Sequence, residues 1–473
     1  MCRLLGLARR EFDEVRELMV YVHKTGRWLQ EPRKDARGQI LRDPKTKKPL
    51  MRSVPEIKRE HLMDKACRFP TGLLYLLQGW LEKSGRDWEE TDLRERPGTR
   101  PADAPSMFKP GVAPVPYLEQ LEAAVAGVTH GRGILVAPTG VGKSLIAALI
   151  CDMLQCRTLI VVPKLGLKQQ LTESLQEFFG VNAVGPLVKG QATHWITVEN
   201  VDALRGKSPR IDAVLIDEFH RAGAKGYRTL NQKAWTEVYF KLGLTATPFR
   251  SRTEERVLLE SVLSQVIYRV TYKQAVAKKY IVPVEAYYYD LPVKKRVKAN
   301  SWQGVYKELV TENGYRNRLI AHLMGNVVEA GQSALTLTKQ VLHGETIEEL
   351  LRQRGLDVPF AEGKKGDVNR ELLRAFNAQE KLGLIGTSGI MGEGQDTKPC
   401  EWVFLAGLGK SKNQFMQQVG RGVRRFGAKE SCKVIIFRDE SHKWTLSHFD
   451  EQVMYLRQEY GIEPVKLELP ENI

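Results

Sequence analysis

A chain of 473 residues has room for about three domains at roughly 150 residues each, and 42% hydrophobic with 27% charged residues is a globular composition. The 72 Lys+Arg against 56 Asp+Glu leave a net charge of +16, which favours a polyanionic partner. The longest apolar runs, such as LIAALICDML from Leu145, fall short of the roughly 18–20 residues of a bilayer span, and the amino terminus turns acidic where a signal cleavage site belongs, so no membrane partner and a cytoplasmic location are expected.

In chain order, the first stretch carries twelve Lys/Arg and five Asp/Glu between Lys24 and Glu60, with Pro and Gly interspersed, and is expected as a long basic hairpin or loop. FPTGLLYLLQGWLEKSG, from Phe69, has helical apolar spacing and a glycine stop. The Pro- and Gly-rich RERPGTRPADAPSMFKPGVAPVP then reads as a linker. From Tyr117 the pattern becomes short apolar runs alternating with amphipathic stretches, the signature of a parallel sheet. Strands are predicted at 133–138, 157–163, 213–218 and 239–247, and again at 333–339, 382–388, 402–407 and 433–437, with helices beginning near Glu345, Val368 and Lys412. The fold class is therefore α/β: two tandem parallel-sheet domains preceded by a small basic α+β domain. The expected divisions are 1–105 for the basic accessory domain and linker, 106–285 for the first sheet domain, and 286–473 for the second with a C-terminal helix. The six cysteines are scattered without a C-x-x-C pair, which excludes a zinc or disulfide framework.

APTGVGKS, Ala137 to Ser144, follows a predicted strand and opens a predicted helix, the context of a phosphate-binding loop. Pro138, Thr139, Gly140, Val141 and Gly142 would wrap phosphate with inward N–H groups at a helix N-terminus. Lys143 would reach the β and γ phosphates, and the Ser144 hydroxyl would ligate Mg²⁺. AVLIDEFH is an apolar strand ending in two carboxylates: Asp217 can hold the Mg²⁺ shell and Glu218 can orient and deprotonate an attacking water. In LTATPFR, Thr245 and Thr247 are expected to hydrogen-bond toward His220 and couple the ATP site to whatever the domain grips. In QQVGRGVRR, Arg421 and Arg424 stand three apart, expected on one helical face, where paired guanidiniums suit the charge of a transferring phosphoryl group. The bland alternative for each, a solvated cap or a basic helix face, weakens because the motifs occur together and in order.

The ordered set APTGVGKS, DEFH, LTATP, GTSGIMGEGQD and QQVGRGVRR resembles motifs I, II, III, V and VI of the superfamily 2 helicases, DExH branch, over Tyr117 to about Phe437. Within that superfamily the LTATPFR form, the VFLAGLGKSKNQFMQQVGRGVRR stretch and the basic domain ahead of the motor are similar to the phage UvsW branch, related to XPB and RecG-type DNA motors. The resemblance implies two RecA-like domains with ATP between them and nucleic acid across their top. It makes Lys143, Asp217, Glu218, Arg421 and Arg424 the hydrolytic set, and His220, Thr245, Thr247 and Gln417 the coupling set. Gln120 in PYLEQLEAAV becomes an adenine reader, although the family's preceding Arg is missing. Gly394 and Asp396 approach the nucleotide or the other domain. Pro163, Lys164 and Thr387 contact a nucleic-acid backbone.

The function expected is an ATP-dependent helicase or translocase, with ATP and Mg²⁺, acting on forked, branched or single-stranded DNA, with recombination or replication proteins as further partners. The competing readings are an RNA helicase with the same motor, the motor subunit of a restriction or remodelling complex, and a non-enzymatic basic DNA-binding protein.

Overall fold

The predicted alternation of apolar runs and amphipathic stretches is realised as two seven-stranded parallel sheets. The computed structural model describes residues 2–3, 8–32, 39, 42, 49, 51–100, 105–112, 114–247, 256–362, 366–387, 397, 399–407 and 409–471. Two compact units are distinguished, one of Met1–Glu95, His220–Glu237 and Phe249–Gln265, the other of Arg96–Phe219, Val238–Pro248 and Val266–Ile473.

In the smaller unit, helix α1 (Arg9–Leu18) leads into strand β1 (Val20–Pro32), which pairs antiparallel with β2 (Met51–His61) from Val20↔His61 to Pro32↔Met51. These are the arms of the hairpin expected from the basic run. Helix α2 (Leu74–Lys83) follows a single 3₁₀ turn, and its Leu77 and Leu81 join Val15, Met19, Met63, Phe69 and Leu73 in one buried cluster. Tyr75 of α2 donates its phenolic hydrogen to Glu260, a carboxylate also paired with Arg256.

The larger unit holds both sheets. The first follows α3 (Leu118–His130) and contains β3 (Arg132–Val136), then α4 (Lys143–Leu154), β4 (Thr158–Val162), α5 (Leu165–Phe179), β5 (Val184–Gly185), β6 (Ile196–Asn200), β7 (Ala213–Asp217), β8 (Phe240–Thr245) and β9 (Val266–Arg269). The strand order is β9-β3-β8-β7-β4-β6-β5. Helices cover both faces of such a sheet, so its strands are buried along their length, and β4, β6 and β8 are buried at every position.

The second sheet begins with β10 (Val284–Asp290) and continues through α6 (Gly314–Glu329), β11 (Ala334–Thr338), α7 (Val341–Gln353), β12 (Phe360–Ala361), α8 (Gly366–Asn377), β13 (Gly383–Thr387), β14 (Trp402–Leu405), α9 (Lys412–Val419), β15 (Cys432–Arg438), α10 (Lys443–Tyr455) and β16 (Val465–Leu467). Its order is β12-β13-β11-β14-β15-β10-β16. The tail helix α10 packs back onto this domain: Phe449 lies with its ring 5.2 Å from that of Tyr288, and His448 is buried against Trp302 at 4.2 Å. No helix among the described residues is long and apolar enough to cross a membrane.

Candidate functional site

In an open α/β sheet, ligands bind beyond the carboxyl ends of the strands, and the motif residues gather there. The loop Ala137–Gly142 leaves β3 and enters α4 at Lys143. Gly140 and Gly142 adopt φ of 91° and 89°, a left-handed backbone that side-chained residues rarely take. Two such residues in one short loop turn successive N–H groups the same way, at the positive end of a twelve-residue helix. The loop is tied down at its start by the Ala137 N–H, which donates to the Thr245 carbonyl at 3.0 Å.

Strand β8 lies between β3 and β7, with Leu244 opposite Asp217 and Thr245 opposite Val136. That register sets the carboxylate strand tip one strand away from the phosphate-loop strand. Asp217 is half-buried and its Oδ1 accepts the Glu218 N–H at 2.9 Å. Glu218 then leaves the strand at φ 49°, in the left-handed region, where a side-chained residue costs about 1–2 kcal/mol. Strain of this kind persists only where the surroundings impose it, and here it directs a carboxylate away from the strand line.

The arginine pair departs from the expected geometry. Helix α9 stops at Val419, so Arg421 and Arg424 do not share a helical face. Gly420 and Gly422 follow the helix in close contact with their neighbours, so that only glycine fits: a Cβ on Gly422 would lie 2.1 Å from Cys432 Sγ. Past the helix the chain turns at Gly420–Gly422, and Arg424 then pairs as an isolated antiparallel bridge with Ile281, while the Val282 N–H donates to the Val423 carbonyl at 2.8 Å. Arg421 is nearly buried, and its carbonyl accepts the Thr397 hydroxyl at 3.1 Å.

This segment meets the phosphate loop. A Cβ on Gly420 would fall 2.8 Å from Thr139 Cβ, and one on Gly140 would fall 3.3 Å from Arg424 Cγ. Beside the contact lies a cavity of about 240 Å³ lined from the first domain by Pro138, Thr139, Ala246 and Thr271, and from the second by Met416, Gly420, Val423 and Glu459. The loop and the arginine segment thus share one crevice.

Gln120 is buried in the first turn of α3, where its Oε1 accepts the Tyr117 N–H at 2.8 Å and its Nε2 donates to the Val141 carbonyl at 2.6 Å. It braces the phosphate loop directly. Pro163 and Lys164 form the turn from β4 into α5, and Thr387 ends β13. Gln417 lies on α9. His220 is buried in the 3₁₀ turn Phe219–Arg221 and groups with the smaller unit. Gly394 and Asp396 lie outside the described residues.

Of the threonine pair, Thr245 Oγ1 donates to the Thr247 carbonyl at 3.0 Å, and Thr247 Oγ1 donates to Asn413 Oδ1 at 2.8 Å. Asn413 escaped the sequence reading. Its signal was its place four residues before Gln417, which puts an amide on the same face of α9 as a motif residue.

Comparison with known proteins follows the same residues. The family model "Type III restriction enzyme, res subunit" matches residues 116–250. The DNA 3'-5' translocase XPB2 of Sulfurisphaera tokodaii is 24% identical over 347 residues, covering 65% of this chain and 78% of that protein. The ATP-dependent DNA helicase uvsW of Enterobacteria phage T4 is 23% identical over 346 residues, 67% of each chain. The chain belongs to the superfamily 2 helicases. Within them it stands near the UvsW branch, and as a member of this group it is an ATP-hydrolysing enzyme, its helicase relatives being proteins that act on nucleic acid. A relative from Sulfolobus islandicus filamentous virus is 23% identical over 328 residues, and the helicase spans 58% of that relative's length. The fold is that of tandem RecA-like domains: Saccharomyces cerevisiae Dbp5 superposes with a TM-score of 0.54 at 14% identity, covering 74% of this chain and 90% of that one.

Proposed function

We propose that this helicase is a DNA translocase that works on forked or branched DNA, with ATP held between the phosphate loop and the arginine segment. The observation that carries the reading is the direct packing of Thr139 and Gly140 against Gly420 and Arg424. A γ-phosphate on the loop would have Lys143 on one side and the segment bearing Arg421 and Arg424 on the other. Lys143 offsets the phosphate charge, Glu218 takes the proton of the attacking water, and the two guanidiniums stabilise charge that develops on the transferring group. The Ser144 hydroxyl and the Asp217 carboxylate are hard oxygen donors of the kind Mg²⁺ takes, and the ion would neutralise phosphate charge there.

Closure depends on the nucleotide, because the arginines and the loop come from different domains. Pro163, Lys164 and Thr387 stand at carboxyl ends of strands in the two sheets, where backbone phosphates would be gripped alternately as the cleft opens and closes. Such contacts carry no base identity, so binding should be independent of sequence and weaken steeply with salt. The basic hairpin arms of β1 and β2 suit them to select the shape of the DNA. DNA rather than RNA is supported by the DNA activities named for XPB2 and uvsW.

The test is ATP turnover and strand products with single-stranded, duplex, forked and four-way DNA and with structured RNA. Forked or four-way DNA should stimulate most. Stimulation by RNA alone would overturn the DNA assignment, and equal turnover on duplex and fork would overturn the preference for branches.

A further inference from the structure

The hydrogen bond from Thr247 to Asn413 joins the two RecA-like domains at buried positions 166 residues apart in sequence. Its two ends are informative. Thr247 lies two residues beyond β8, the strand paired with the Asp217 strand, and its carbonyl is fixed by Thr245. Asn413 lies in the first turn of α9, a helix capped by Ser411, whose Oγ accepts the Gln414 N–H at 3.3 Å. The far end of α9 delivers Gly420, Arg421 and Arg424 to the phosphate loop. A helix of eight residues is a stiff lever, so fixing Asn413 fixes where those arginines arrive.

We infer that Asn413 is a positioning residue for hydrolysis, whose bond to Thr247 sets the register between the carboxylates of the first domain and the arginines of the second. The inference rests on the proposed ATP site and deepens it. A packing contact alone would be served by an apolar pair. Here an amide is buried instead, with its Nδ2 making no hydrogen bond among the described residues, so the polar side chain serves the directional bond that its Oδ1 receives. Cleft opening must break this bond, which makes it a marker of the closed state.

The experiment is a double-mutant cycle of Thr247→Val and Asn413→Ala, read as steady-state ATP hydrolysis with saturating forked DNA, with Thr247→Ser as the conservative control. Each single variant should lower kcat by about tenfold, the size of one buried hydrogen bond, with KM for ATP unchanged. The double variant should be no slower than either single one, and Thr247→Ser should keep the parental rate. Additive losses, or a Thr247→Ser variant as slow as Thr247→Val, would overturn the inference. Should Asn413→Ala fail to fold, the Val and Ser variants at 247 still decide it. A parental protein unstimulated by any nucleic acid would instead defeat the proposed function.

Discussion

Gly420 and Thr139 stand so close that a methyl group on the glycine would lie 2.8 Å from the threonine Cβ. The first residue lies just past α9 in the second domain and the second is in the phosphate loop of the first, so their separation measures how tightly the cleft is shut. Gly420→Val should hold the halves apart. Overpacking of this kind costs about 1–3 kcal/mol, and the part borne by Thr139 should appear as a loss of about tenfold or more in kcat. The new side chain would also lie 2.9 Å from the Met416 carbonyl of its own helix, so the melting temperature of the nucleotide-free protein, measured alongside turnover, separates that local cost from the loss of closure. Parental kcat in this variant would show that the contact is not part of the working state.

Lys143 opens α4 directly after two left-handed glycines, so its ammonium is delivered to the loop that would hold the phosphates. Lys143→Ala should reduce ATP hydrolysis by at least about a hundredfold, the scale of removing one charge-stabilising donor. The position is only half-buried, so stability should stay within about 0.5 kcal/mol of the parent. DNA retention on a filter should persist. Hydrolysis at the parental rate would refute the phosphate-loop assignment.

Glu218 occupies a left-handed backbone position that an ordinary strand end would not need. Glu218→Gln preserves shape and one acceptor oxygen but cannot accept a proton at neutral pH, so hydrolysis should fall by about 10²–10⁴ while ATP binding survives. Fluorescent-nucleotide titration paired with single-turnover kinetics separates the two. Loss of binding together with hydrolysis would make Glu218 a binding group instead.

Much of this architecture could be read in the sequence because the physics responsible is local. The strands of a sheet covered on both faces are rich in apolar residues, which is why GILVAP, RTLIVVP and KVIIF announce β3, β4 and β15. Gly140 and Gly142 were readable because a left-handed loop leaves few other choices. The end of α9 was not readable. Arg421 and Arg424 keep helical spacing in sequence, but the chain turns at Gly420–Gly422 against Thr139 and Cys432, neighbours that only the folded chain brings near. Asn413 escaped for the same reason: its partner Thr247 lies in another domain.

His343 is fully buried at the start of α7 with neither ring nitrogen hydrogen-bonded among the described residues, and burial, aided by the nearby Arg316 cation, lowers its pKa to about 3. His448 is lowered to about 4, again chiefly by burial and then by Lys410 and Lys339. Both fold in the neutral form, whereas in the unfolded chain they titrate near 6.5. The unfolded state therefore binds more protons below that pH. Stability from these neutral rings is complete above about 6.5 and is lost progressively as pH falls toward 4 and then 3, at about 1.4 kcal/mol per pH unit for each histidine. Replacing His343 by leucine removes one such proton. The difference in urea unfolding free energy between parent and His343→Leu should shift toward the variant by that slope as pH falls from 6 to 4. Carboxylates common to both proteins cancel in that difference, so parallel profiles would mean that His343 takes up its proton without leaving the core.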